Sequence, residues 1–145
     1  MYLEQFKPGD KFYAPAVTIT FGDIRDFALK YDPLPLHLDE SHAESTPFGK
    51  VIAPGVMSFM LVWAEYVKLD IWNDSLVAGK STKIEWHYPV FPGDELHSEA
   101  VVEDVSIRGD KNGTLTVRVY IYNQENVLCM TDTTEMVLAR GQART

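Results

Sequence analysis

Cysteine is nearly absent from this 145-residue sequence: Cys129 stands alone. No internal disulfide can form, so a packed core must hold the fold. There is no CxxC pair, and among His37, His42, His87 and His97 only the first two are close, so no metal-ligand set is expected. Cations are also scarce, with 13 Lys and Arg against 21 Asp and Glu and a net charge of −8. A nucleic-acid binder needs a concentrated basic face, and that class is excluded. An anionic small ligand remains open, because it needs only a few local cations. No apolar run reaches the length of a membrane span, and there are no repeats or low-complexity segments. The stretch from Met1 to Pro8 lacks the basic and apolar regions of a signal peptide. The expected location is the cytoplasm.

The length fits one domain over residues 1–145. A chain of this size buries about 68–70% of its unfolded surface, which suffices without a staple. Phe12 to Ile19 reads as a first strand, interrupted near Pro15. Thr20 is a helix N-cap with Asp23 as its capping-box acid, and Ile24, Phe27, Ala28 and Tyr31 make one apolar helical face. A second short helical stretch is expected over Glu40 to Ser45. Val56 to Trp72 is the longest apolar segment, read as a helix buried on nearly every face, with Met57 and Met60 in the core. From Leu76 onward the pattern changes to strands: Leu76 to Tyr88, Glu95 to Ile107, Leu115 to Tyr122 and Val127 to Leu138. Turns are expected at Pro92-Gly93-Asp94, Asp110 to Gly113 and Asn123 to Asn126. Short connections imply antiparallel pairing. Cys129 lies in the last strand as a buried, inert thiol, and Gly141 to Thr145 reads as a frayed tail. A curved antiparallel sheet wrapped round one long helix satisfies this order, an α+β architecture. Its uncovered face or edge predicts a homodimer.

The stretch Tyr31-Asp32-Pro33-Leu34-Pro35-Leu36-His37-Leu38-Asp39 puts a carboxylate and an imidazole five residues apart. Asp32 and Leu34 each precede a proline, which disfavours the helical region. The segment is therefore expected to be extended and stiff, which suits an acid–base pair because misplacement costs rate. An Asp-Pro turn and an ordinary histidine fit the same spacing. Pro54-Gly55 opens the apolar helix, where free amides and the helix dipole favour negative charge and a missing side chain permits close approach.

Phe27-Ala28, the run from Tyr31 to Glu40, Pro47-Phe48-Gly49, Val51 to Gly55, Pro89 to Asp94 and Asn123-Gln124 together resemble the MaoC-like hydratases, the (R)-specific (type 2) enoyl-CoA hydratases. The resemblance implies a hot-dog fold, a homodimer or dimer of dimers, and a thioester substrate carried on coenzyme A, with no other cofactor. It implies Asp32 and His37 as the acid–base pair and Gly55 as the residue whose N–H binds the thioester oxygen. The family pattern commonly has Asn where Leu34 stands, Gly where Tyr31 stands and His where Pro54 stands. Phe59, Met60 and Trp63, with a partner subunit, would wall the acyl pocket. Lys80, Lys83, Arg108 and Lys111 are the cations nearby in sequence for the CoA phosphates. A hot-dog thioesterase, with Glu65 as its helix acid, and a non-catalytic acyl-CoA-binding subunit are the alternatives.

Overall fold

The computed structural model describes residues 1–141, so most of the expected frayed tail, 142–145, lies outside the described residues. Gly141 itself is tied down, its N–H donating to Glu4 Oε1 at 2.5 Å. In chain order the elements are β1 (Lys11–Phe12), β2 (Val17–Thr18), α1 (Phe21–Tyr31), α2 (Pro35–Leu38), α3 (Glu40–Glu44), α4 (Gly55–Lys68), β3 (Leu76–Trp86), β4 (Glu95–Ile107), β5 (Asn112–Tyr122) and β6 (Leu128–Ala139). The sheet runs β1-β4-β5-β6-β3, with β2 also on β4, and every pairing is antiparallel. It is a hot-dog fold, as expected.

The side chains explain the layers. Leu115, Val117, Val119 and Ile121 are fully buried, while Thr116, Arg118, Tyr120 and Tyr122 between them are half-buried. This period of two gives the sheet one core face, on which Met57, Phe59, Val62 and Tyr66 of α4 join the same cluster. Tyr66 is anchored by its hydroxyl, 2.8 Å from Ser98 Oγ. Cys129 is buried as expected, and desolvation pushes its thiol up to about 11.

The first strand is interrupted at Pro15 as expected, since proline has no N–H to give a ladder, and only the two-residue pieces β1 and β2 pair with β4. One expectation needs correction. The central helix begins one residue early, ends at Lys68, and is not buried all round. Val56, Met60 and Val67 lie on an exposed stripe, with Met60 48% exposed. Composition alone cannot separate a helix covered by its own sheet from one that keeps an apolar stripe free.

Asp132 is the unexpected feature of the core. It is 0% exposed. Thr82 of β3 donates to its Oδ1, Thr134 Oγ1 donates to Oδ2 at 2.5 Å, and the two hydroxyls are 2.9 Å apart. Each hydroxyl has one proton and gives it to the carboxylate, so the contact between the two hydroxyls closes the ring of three without a proton of its own. Desolvation raises the Asp132 pKa, and hydrogen bonds from Thr134 and Thr82 offset only part of the rise. Above the unfolded value of about 3.9 the unfolded chain loses this proton more readily than the folded one, so burial opposes folding there. Below that value the penalty is gone. Asp132→Asn keeps the shape, a donor and an acceptor without a charge. It is expected to raise the melting temperature at pH 7.5, with the gain shrinking as pH falls towards 4. A destabilised variant at pH 7.5 would refute this reading.

Candidate active site

The site grows from the end of α1. Thr20 caps that helix, its Oγ1 accepting from the Asp23 N–H at 3.0 Å. At the other end Asp32 leaves the helical region (φ −156°, ψ 66°) because Pro33 follows it. Leu34 is extended (φ −81°, ψ 139°). The expected extended spacer stops there. Pro35 to Leu38 forms the short helix α2, since proline is accommodated at the first helical position, where its missing N–H is not needed. Both Asp32 and Leu34 leave the helical region, but only Leu34 is extended, and His37 sits on a helical turn rather than on an extended loop. Leu34 is the N-cap of α2 and supplies no side-chain cap. Leu34→Asn is expected to stabilise the fold by about 0.5–1 kcal/mol. A higher urea midpoint at an unchanged m-value would record it, and a lower midpoint would contradict it.

The turn brings the acid and the base together. His37 Nε2 lies 3.2 Å from Asp32 Oδ2, and His37 Nδ1 lies 2.7 Å from the Ile52 carbonyl oxygen. A carbonyl oxygen only accepts, so Nδ1 carries a proton and donates it. In the neutral ring Nε2 is then a bare lone pair facing a carboxylate oxygen. A hydrogen bond across the 3.2 Å contact therefore needs one further proton, on either partner. His37 is buried, while 42% of the Asp32 side chain is exposed. Asp32 is the accessible member of the pair.

The same loop is stitched to the entry of α4. The Ile52 N–H donates to Leu36 O at 3.3 Å, and the Ala53 N–H donates to Val90 O at 2.7 Å. The wall carrying Val90 is held in turn by the turn at Gly93 (φ +90°), where Asp94 accepts from the Phe91 N–H at 2.9 Å and from Gln124 Nε2 at 3.0 Å. Gly55 is the first residue of α4, and Pro54 before it provides no side-chain cap. The first-turn amides are without intrahelical acceptors.

These groups share one cavity of about 830 Å³. Asp32, His37 and the stretch Ile52 to Val56 line one part of it. Phe27, Tyr31, Phe48, Trp86, His87, Tyr88, Pro89, Val90 and Met130 line the rest. Apart from the acid, the imidazoles and main-chain groups, the lining is aromatic or aliphatic, which fits a ligand with an apolar body and one polar reacting end.

The structure thus brings together Asp32, His37 and Gly55. It does not bring the expected wall residues. Phe59 is buried in the core, Met60 is on the exposed stripe, and Trp63 stacks between Phe59 and Trp72 at 5.8 and 5.5 Å. None of the three lines the cavity, and neither do Lys80, Lys83, Arg108 or Lys111. Glu65 is outside it as well, paired with Lys68 Nζ at 2.6 Å. The missed residues are Trp86 and Met130. They are register partners on β3 and β6 and reach the cavity only because the sheet sets them side by side.

Comparison with known proteins places this geometry. The family profile of the MaoC like domain matches residues 4–123. The uncharacterised protein YdeM of Bacillus subtilis is 30% identical over 128 residues, 88% of this chain and 91% of that protein. The solved MaoC-like dehydratase from Rhodospirillum rubrum superposes with a TM-score of 0.88 at 29% identity, covering 97% of this chain and 98% of that one. The (R)-hydratase from Aeromonas caviae, described as involved in PHA biosynthesis, gives a TM-score of 0.72 at 27% identity, covering 95% and 99%.

Proposed function

The chain belongs to the MaoC-like dehydratase family, and from that premise we propose that it is an (R)-specific enoyl-CoA hydratase or, in reverse, a 3-hydroxyacyl-CoA dehydratase. The observation that carries the proposal is the contact between Asp32 and His37 at 3.2 Å, in a cavity that also exposes the first turn of α4.

Hydration of a trans-2-enoyl thioester puts hydroxyl on Cβ and a proton on Cα. Water docks against the pair. The free Asp32 carboxylate oxygen takes a proton from the water as its oxygen bonds to Cβ. The proton held at His37 Nε2 passes to Cα. The pair then again holds one proton, so the cycle balances. Because Nδ1 is committed to Ile52 O, Nε2 is the imidazole nitrogen that exchanges a proton. As the Cβ–O bond forms, negative charge grows on the thioester oxygen. The Gly55 N–H, at the positive end of α4, binds that charge more strongly than it binds the ground-state carbonyl. Coenzyme A enters as the carrier of the substrate, and the acyl chain lies against the aromatic wall.

A second copy of the chain belongs to the proposal. β3 is an edge strand, exposed along almost its whole length, and it carries Leu76 and Val77 on the surface. An edge of this kind is a template for pairing, and the free stripe of α4 adds apolar area to it.

The test is a panel of 2-enoyl-CoA esters followed at the absorbance of the conjugated thioester, with free thiol measured in parallel. Loss of the conjugated absorbance without thiol release is expected. Thiol release with the double bond intact would select the thioesterase reading, and tight binding without either change would select a non-catalytic acyl-CoA-binding subunit.

A further inference from the structure

Gly55 is crowded by one residue. A Cβ built on it would lie 2.1 Å from Trp86 Nε1, 2.3 Å from Cε2 and 2.8 Å from Cδ1. Its α-carbon therefore rests against the pyrrole face of the indole, at the nitrogen. The ring is fixed in the fold by its strand: Trp86 is the last residue of β3 and pairs with Met130 of β6. Both Trp86 and Gly55 line the cavity of Asp32 and His37.

Indole Nε1–H is a donor only. Among the described residues no protein acceptor takes it, and the residue is 53% exposed. The backbone N–H of Gly55 stands beside it with no intrahelical acceptor. Bond lengths of about 1.5 Å on the bonded path put the two nitrogens within roughly 5 Å of each other. An oxygen can lie within hydrogen-bonding distance of two donors at that separation. Two free donors meeting in a mostly apolar cavity make an anion-stabilising pair rather than a plain wall.

We propose that Trp86 is a catalytic residue whose indole N–H, together with the Gly55 amide, binds the thioester oxygen as it gains negative charge. The inference rests on the hydratase reading for its substrate and assigns the second donor of that site. No covalent step is involved. The indole keeps its proton throughout and offers a stronger hydrogen bond to the enolate-like oxygen than to the starting carbonyl. The ring also covers the helix end, which keeps bulk water from competing for the same oxygen.

Trp86→Phe separates the donor from the wall, because it removes the N–H and keeps an aromatic face against Gly55. Two readouts are made on the same protein. Turnover of crotonyl-CoA is expected to fall about 10²-fold in kcat, the size typical of losing one such donor, with KM within about twofold of the wild type. The second readout needs no turnover. 4-Dimethylaminocinnamoyl-CoA absorbs further to the red as its carbonyl accepts hydrogen bonds. Wild type is expected to shift it to the red on binding, and Trp86→Phe to shift it less. Thermal melts of both proteins serve as the folding control, and coincident melts are expected because the ring is half-exposed. If Trp86→Phe matches the wild type in kcat and in red shift, the donor role is wrong and the hydratase reading stands. A fall in kcat with an unchanged shift also overturns the donor role, leaving Trp86 as a wall. If the wild type shifts the chromophore, the variant does not, and crotonyl-CoA is untouched, the donor pair stands and the hydration reading falls. Failure of the wild type either to bind the chromophoric ester or to turn over crotonyl-CoA overturns both.

Discussion

Asp32→Asn is expected to lower hydration turnover by about 10²–10⁴-fold with little change in fold. The asparagine keeps the size of the side chain and cannot take a proton from water. Its partner is less forgiving. His37 is buried and donates to the Ile52 carbonyl at 2.7 Å, so His37→Ala removes the proton donor and strands a backbone acceptor. A stability loss of about 1–3 kcal/mol accompanies the loss of rate. Activity and melting must therefore be measured together, and His37→Gln, which retains polar atoms in that space, separates chemistry from packing. The two side chains touch at 3.2 Å, and the proposed mechanism uses them in one proton exchange, so they act as a unit. The double variant Asp32→Asn/His37→Ala should cost about as much as the worse single variant rather than the product of both. Additive losses in kcat would mean that the two side chains act independently, contrary to the proposed proton exchange.

The second large effect is expected at Gly55, where Gly55→Ala leaves the amide in place. Its new methyl would overlap Trp86 Nε1 at 2.1 Å, a separation no packed atoms tolerate, so the indole must move. Misplacement of a catalytic constellation by about 1 Å costs on the order of 10²-fold in rate, and a loss of that size in kcat/KM is expected. The cause can be isolated. In Trp86→Ala the space is already empty, so adding Gly55→Ala should then cost little further. A strong coupling between the two substitutions is the signature of contact. If Gly55→Ala costs the same with and without the indole, the collision is not the reason.

Much of this site is legible in the sequence because it is local. Asp32 and His37 are five residues apart, and α1 ends where the pattern Ile24, Phe27, Ala28 and Tyr31 ends. Gly55 is legible for the same reason, since Pro54-Gly55 begins the apolar helix. What the sequence hides is set by pairing and packing. Trp86 and Met130 are far apart in the chain and meet only through the β3–β6 register. The Thr82–Asp132–Thr134 ring depends on that same register, so an acid in a strand reads as a surface residue until the partner strand is known. Pro35 misleads by its chemistry. Proline disfavours helix in the residue before it and starts helix well itself, so Leu34 is extended and His37 is on a turn. Met60 misleads because hydrophobicity is a statement about area to be covered and carries no information about what covers it.

The central claim is that this cavity adds water across a conjugated thioester. The most direct measurement is the product formed from crotonyl-CoA in D₂O, followed by NMR and mass spectrometry with Asp32→Asn as control. The account predicts (3R)-3-hydroxybutyryl-CoA bearing one deuterium on C2, formed by the wild type and nearly absent from the variant. Recovery of unchanged crotonyl-CoA, release of free coenzyme A, or equal product from Asp32→Asn would contradict it.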